Sequence, residues 1–398
     1  MQGAENCWTA STDTWEADAL DSPEYSALLE EDSISSISER YGFKDKLAIE
    51  KFIMDFEVHA RIARRADCVT RGGMCMPFHT ADGAARRLSV DVDLLTGLTV
   101  DETRGVMGGI SGAPPGILCD EYVPRNPYPL DNLVTYRAYY DSCLGGRRYV
   151  KVDFFCDVDV QPDSELKRSG FELFGFETAH DMRILSKGSL LGDKLTTLAL
   201  GTIGLRPSKQ TEIAKQVYDL GLLLKSSTRR DLEVSLGAFE SMTGLKTEHF
   251  AREPRYDIPD VIASVTDSVF GLLDLKSAVS ITGRQAKRYN DFQGTYLAKK
   301  HRYRKTEHVT DVLLLCAYSV HVRRCLDGEV TKSEAARTLH DILEQVKSIR
   351  GDGVPDPGRR AASYMRDIPD SAGFGKKMLG SALLEHVFLV RELFSGRA

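Results

Sequence analysis

The chain has 398 residues, a formal net charge of −6, 42% hydrophobic and 28% charged residues. That length allows a sizeable core in two or three domains, and the acidic balance excludes a protein coated in basic surface. Its eight cysteines include no C-x-x-C pair, which excludes a zinc ribbon or dithiol motif. An acidic, polar N-terminus is the opposite of a secretory leader. No apolar run approaches the ~20 residues of a membrane span, so the expectation is a soluble, cytoplasmic protein with reduced thiols.

Residues 1–40 carry ten acidic side chains against one basic, Arg40, and are rich in Ser. Such a composition predicts a flexible acidic segment over 1–43, with a short helix near 23–31. Over 44–65, Leu47, Ile49, Phe52, Ile53, Phe56 and Val58 recur at the spacing of an amphipathic helix. A strand over 68–70 then runs into Gly72-Gly73. Over 88–94, Leu88, Val90, Val92 and Leu94 alternate with Ser89, Asp91 and Asp93, so a strand there has one apolar and one polar face. The Gly- and Pro-rich stretch 105–116 predicts a loop. Strands over 134–141 and 148–155, joined through Gly145-Gly146, form a hairpin. Past residue 186 helical patterns dominate: 191–200, 210–225, 257–282, 306–326, 331–348 and 374–394, with a Pro/Gly break at 351–358. The expected fold class is α+β: a small domain with a mixed β-sheet over 44–185, followed by a larger helical domain over 186–398.

The chemistry concentrates in the carboxylates. Aspartates at i and i+2 on a strand project from one face, and a hard cation such as Mg²⁺ takes oxygen ligands from protein and phosphate together. Asp91 and Asp93 therefore suit metal binding for phosphoryl or nucleotidyl transfer. Asp153 is the third carboxylate best placed to complete such a site, since Val150, Val152 and Phe154 face one way and Lys151, Asp153 and Phe155 the other. A second pair, Asp157 and Asp159, marks the end of the hairpin. Gly72-Gly73 permits close backbone approach, with amides able to cradle a triphosphate. Ser89 shares the aspartates' face, as does Arg87 if the strand begins that early.

Gly72-Gly73 followed by Arg87-x-Ser89-x-Asp91-x-Asp93 resembles the opening motif of the AbiEii/AbiGii toxin family, a branch of the polymerase-β-like nucleotidyltransferases. Gly192-Asp193-Lys194-Leu195 looks like that family's nucleotide-contacting helix, and Lys215-Gln216-Val217-Tyr218-Asp219-Leu220 its later R-D-x-Y-D-L motif. The resemblance implies that Asp91 and Asp93 hold Mg²⁺ or Mn²⁺ and that Asp153 either helps to deprotonate the acceptor hydroxyl or completes the metal shell. It also implies that Gly72, Gly73, Arg87, Ser89 and Lys194 bind an NTP, with Asp219 orienting Lys194 or taking part in proton transfer. Met74 replaces the family's usual hydroxyl residue, and Lys215-Gln216 replaces Arg-Asp.

Between Arg284 and Lys305 lie eight basic residues, among them Arg284, Lys287, Arg288, Lys299, Lys300, Arg302 and Arg304, against one acid, Asp291. Tyr289, Phe292, Tyr296, His301 and Tyr303 are interleaved, which suits RNA binding through phosphate contacts and base stacking; a solvated helix face over packed tyrosines is the rival explanation. His79, His180, His321 and His386 are isolated and expected to be satisfied or surface histidines. The function expected is NMP transfer from an NTP to an acceptor, the tRNA 3′ end first among candidates, and the family resemblance implies a toxin in a toxin–antitoxin or phage-defence system, opposed by an antitoxin encoded nearby. The alternatives are a protein or small-molecule acceptor, or a catalytically degenerate protein that binds RNA or a partner.

Overall fold

A computed structural model describes residues 25, 28–80, 87–112, 116–123, 129–159, 162–167, 172–173, 176–177, 180–273, 283–298, 301, 303–350, 363–364 and 384–394. Two compact units divide the chain: Met1–Phe78 with Gly83–Leu185 and Ala298–Lys300, and His79–Asp82 with Ser186–Leu297 and His301–Ala398.

In chain order the elements up to Leu185 are α1 (Glu31–Tyr41), α2 (Lys46–Ala63), β1 (Val69–Arg71), the single turn α3 (Met76–His79), β2 (Asp91–Leu95) and α4 (Val100–Ile110). They continue with β3 (Leu118–Glu121), β4 (Leu133–Asp141), β5 (Arg147–Phe155), β6 (Ser164–Lys167), β7 (Glu172–Leu173), β8 (Phe176–Glu177) and β9 (Met182–Leu185). Seven strands form one mixed sheet in the order β3-β4-β5-β2-β1-β9-β6, with β7 and β8 a separate pair. The pairs β2–β5 and β1–β9 are parallel and the others antiparallel.

Each strand's alternation sets the sheet's two faces. Val92, Leu94, Val150, Val152, Phe154 and Tyr136 are buried, while Asp91, Asp93, Lys151 and Asp153 emerge between them. Helix α2 starts where Asp45 accepts the Ala48 N–H at 3.1 Å, and it buries Ile49, Phe52, Ile53, Phe56 and Ile62. Its Glu50 accepts from Ser142 Oγ and the Cys143 N–H, both at 2.7 Å, tying the β4–β5 turn to the helix. Gly145 and Gly146 both take positive φ in that turn, where a side chain would be strained.

Three sequence expectations need correcting in this unit. The stretch 105–116 was expected to be loop, but α4 runs through it to Ile110. Thr99 and Glu102 form a reciprocal capping box, and Thr103, Met107 and Ile110 bury one face. That burial outweighs the roughly 1 kcal/mol per glycine that Gly105, Gly108 and Gly109 cost a helix. The strand expected over 88–94 begins only at Asp91. The acidic N-terminal segment is not loose where it is described: α1 buries Ile34 and Ile37, and Tyr25 is 2% exposed. Tyr25 is held by its N–H to Glu57 and its hydroxyl to His180.

From Lys187 onward every described regular element is helical: α5 (Lys187–Thr196), α6 (Gln210–Ser226), α7 (Arg229–Glu248), α8 (Ile258–Phe270), α9 (Gly283–Tyr296), α10 (Lys305–Leu326), α11 (Lys332–Arg350) and α12 (Leu384–Phe394). Sequence patterning missed α7, in which Gly237 and Gly244 interrupt a buried stripe of Leu232, Leu236, Phe239 and Met242. A Thr228–Asp231 capping box starts it. Gly188 and Gly192 of α5 let that helix approach α7 closely: a Cβ on Gly192 would lie 2.6 Å from both Ser235 O and Phe239 N. The break expected at 351–358 lies outside the described residues. No helix among the described residues is long and apolar enough to cross a membrane.

Candidate active site

Strand register assembles the site in rows across the sheet. Arg71 on β1 pairs with Asp93 on β2, Asp93 with Asp153 on β5, and Asp153 with Thr135 on β4. The next row runs Asp91, Lys151, Arg137 and Asp120. Directly paired residues point to the same face, so Asp91, Asp93 and Asp153 share one side of the sheet although Asp153 is 60 residues away in sequence.

Around them lies a dense set of charges. Thr135 Oγ1 donates to Asp153 Oδ1 at 2.7 Å, and the Lys151 ammonium is ion-paired with Asp153 Oδ2. Lys51 Nζ stands 3.9 Å from Asp91 Oδ1. Burial, then the neighbouring Asp153 and Asp91, push Asp93 up to about 6, against the opposing pull of Lys151 and Arg71. Burial alone would lower Lys151, but Asp153, Asp91 and Asp93 outweigh it and the ammonium is raised.

Asp55, on α2, is fully buried, and neither carboxylate oxygen has a hydrogen-bond partner. Burial first raises its pKa well above the usual carboxylate range; Lys51 opposes this, while Asp91 and Asp93 reinforce it. Burial without a partner disfavours its charged form. Sequence reasoning missed Asp55, Arg71, Thr135 and Lys51. The signal for Asp55 was a carboxylate inside the run Phe52-Ile53-Met54-Asp55-Phe56, on the side of the helix that faces the core.

The paired glycines sit against the motif's side chains. Gly72 has φ +71°, and a Cβ there would overlap Asp93 Oδ2, with Asp93 Cγ at 3.1 Å. A Cβ on Gly73 would overlap Ser89 Oγ and lie 2.9 Å from Arg87 Nη2. Arg87 and Ser89 precede β2 rather than belonging to it, and both are buried, at 4% and 7% exposure. Their link to the glycines is tertiary contact, not strand alternation.

The donor chemistry of this face suits a hard divalent cation: carboxylate oxygens crowd one another, and positive charge relieves them. Even so, among the described residues no three His, Cys, Asp or Glu side chains are grouped as a metal-holding set. Lysine ammoniums supply the counter-charge instead.

In the second unit, Lys194 on α5 is 3% exposed and its ammonium lies 2.8 Å from Asp219 Oδ2 and 3.3 Å from Gln216 Oε1, both on α6. The departure at Gln216 thus leaves a polar partner for the lysine. The preceding Asp193 pairs with Lys246 at 3.0 Å. Of the basic stretch, the side chains of Arg284, Lys287, Arg288, Lys299, Lys300 and Arg302 lie outside the described residues. Arg304 is exposed at the start of α10. The interleaved aromatics are not free to stack on bases: Tyr289, Phe292 and Tyr303 are buried with Ala214, Tyr218 and Leu297 in one cluster.

Among the isolated histidines, His180 is satisfied: its Nε2 lies 2.8 Å from His59 Nδ1, whose Nε2 lies 2.6 Å from Thr70 Oγ1. His386 Nε2 lies 2.9 Å from Thr310 Oγ1.

Residues 60–303 match the family model described as Nucleotidyl transferase AbiEii toxin, Type IV TA system. The matched span runs from the end of α2 through the carboxylate rows to Tyr303, and includes Lys194 and Asp219. No curated protein matches the chain.

Proposed function

The chain belongs to the AbiEii nucleotidyltransferase toxin family of type IV toxin–antitoxin systems, and from that premise we propose that it transfers NMP from an NTP to the 3′ hydroxyl of an RNA, with tRNA the foremost acceptor, and that an antitoxin encoded nearby opposes it. The observation that carries the reading is the register: Asp93 stands beside Asp153 on parallel strands, with Asp91 two residues away and Gly72 packed against the Asp93 carboxylate.

In this reading Asp91, Asp93 and Asp153 hold Mg²⁺ or Mn²⁺, which when bound neutralises triphosphate charge and makes the acceptor hydroxyl more acidic. The acceptor oxygen attacks the α-phosphorus, the bond from that phosphorus to the bridging oxygen of the β-phosphate breaks, and pyrophosphate leaves. Asp153 receives the hydroxyl proton; Lys151 must give up Oδ2 for it to do so. The amides of Gly72 and Gly73 cradle phosphate, with Arg87 and Ser89 behind them. Lys194 takes the triphosphate contact that the family resemblance implies, and Asp219 orients its ammonium. Positioning and electrostatics supply most of the acceleration, because phosphoryl chemistry asks little covalent work of the protein.

The test incubates purified protein with each α-labelled NTP, Mg²⁺ and total RNA, followed by a denaturing gel. Asp91→Ala or Asp93→Ala should abolish labelling while leaving the fold intact; near-normal labelling by either sinks the assignment. One observation favours a second reading, a lapsed enzyme that binds RNA or a partner: the Lys151 ammonium already occupies Asp153. Calorimetry finding no NTP–Mg²⁺ binding would decide for it.

A further inference from the structure

The polar face of the sheet does not end at the carboxylates. One to three rows further along β4 and β5 it becomes a ladder of arginines and tyrosines. The guanidinium of Arg137 lies between two rings, 3.4 Å from the centroid of Tyr122 and 4.7 Å from that of Tyr149. Tyr149 stands 5.7 Å from Tyr139, its register partner, and Arg147 lies 5.1 Å over Tyr139. Lys51 approaches the Tyr149 ring at 5.6 Å.

Charge pairing separates these arginines from others nearby. Arg104, on α4, is ion-paired with Glu121 and Asp101. Among the described residues neither Arg137 nor Arg147 has a carboxylate partner; Arg137 Nη1 donates to the Tyr139 hydroxyl at 3.4 Å, and its Nε is buried without a hydrogen bond. A guanidinium over a ring can still turn N–H groups to a phosphate, and Arg147 is the exposed one of the two. Tyr149 is 39% exposed, and Leu118 at the end of the same row is 46% exposed. Uncompensated cations alternating with accessible rings are what an unpaired nucleic-acid strand requires: phosphates meet the arginines and bases stack on the tyrosines.

The strand direction gives the surface its register with the chemistry. Tyr149 and Asp153 are four residues apart on β5, about 13 Å along a strand rising ~3.3 Å per residue. A 3′ hydroxyl at Asp153 leaves the preceding nucleotides of an extended strand over Arg137, Tyr149 and Tyr139.

We propose that this arginine–tyrosine ladder is the docking surface for the acceptor, an unpaired RNA strand ending in a 3′ hydroxyl. The proposal rests on the nucleotidyltransferase reading for what happens at Asp153, but RNA binding to the ladder does not. It moves the stacking surface from the stretch 289–303, where Tyr289, Phe292 and Tyr303 are buried, to the sheet that carries the carboxylates.

The experiment uses the full chain and a fluorescent single-stranded oligoribonucleotide, reading binding by anisotropy across a salt series, and separately the acceptor KM and NTP KM of label transfer. The variants are Tyr149→Ser, Tyr149→Phe and Arg147→Gln, each checked for an unchanged melting temperature. Tyr149→Ser should weaken binding and raise the acceptor KM by on the order of tenfold with the NTP KM unmoved, whereas Tyr149→Phe keeps the ring and stays near wild type. Arg147→Gln should lower the slope of log binding constant against log salt by about one. If Tyr149→Ser and Arg147→Gln bind RNA as the wild type does, or the wild type does not bind the oligonucleotide, the ladder is an internal packing feature and the proposal is overturned. Should the wild type label no RNA while its binding still falls tenfold in Tyr149→Ser, the transfer reading fails and the docking surface stands.

Discussion

Replacing Gly72 with alanine separates what this site needs from what the fold needs. Gly72 has φ +71°, and a residue with a Cβ in that left-handed region costs roughly 1–2 kcal/mol. For a unit of this size the expected fall in melting temperature is about 2–8 °C. The larger effect falls on Asp93. The new Cβ overlaps Oδ2 and meets Cγ at 3.1 Å and Cβ at 3.3 Å, so the carboxylate must move by on the order of 1 Å to restore ordinary contact. Asp93 cannot shift freely, because its strand is paired on both sides, with β1 and with β5. A displacement of that size at a reacting centre costs on the order of 100-fold in rate. Gly108→Ala is the control: it lies in the last turn of α4 with open space around a Cβ, and should gain about 0.4–1 kcal/mol without touching transfer. The assays are label transfer from α-labelled NTP and thermal unfolding of the same preparations. Wild-type kcat in Gly72→Ala would refute the argument that this glycine exists to admit the Asp93 carboxylate.

Other consequences can be checked alongside. Asp219→Asn should destabilise the protein by roughly 3–5 kcal/mol in denaturant unfolding, because it strands a lysine that is 3% exposed; combining Lys194→Met with Asp219→Leu should recover much of that loss, and an additive result would show that the pair does not interact. Burial lowers His59 to about 4, and burial with His59 and Arg64 lowers His180 to about 2. Their neutral rings contribute stability that is complete above their ordinary 6.5 and is lost as pH falls through 4. Asp93, raised to about 6, acts with the opposite sign: its contribution is present below 3.8 and lost as pH rises through 6. Denaturant midpoints measured at about pH 7 and about pH 5 should therefore converge in His59→Gln relative to wild type, and an unchanged gap would count against the histidine account. Lys151→Met removes the ammonium that occupies Asp153, so calorimetric Mg²⁺ affinity should rise by on the order of tenfold; weaker binding would mean that Lys151 helps to hold the site together.

The sequence by itself determined what local pattern can encode. Alternation of apolar and acidic residues over 88–94 specified a strand with carboxylates on one face, and Gly145-Gly146 specified the hairpin turn. The spacing of Ile49, Phe52, Ile53 and Phe56 specified α2, and the motif from Gly72 to Asp93 pointed to the family that residues 60–303 match. Where glycine density opposed helical burial, as in α4 and α7, composition misled, because buried faces and capping boxes outweigh propensity. Only tertiary structure decided which strand lies beside β2, and hence that Arg71, Thr135 and Lys151 surround the aspartates. It also decided that Asp55 sits unpartnered within their field, and that Tyr289 of α9 is buried while Tyr139 and Tyr149 lie on the carboxylate face of the sheet. Local periodicity decides which way a side chain points from its own element; register and packing decide what it meets there, and those rest on contacts between residues far apart in the chain.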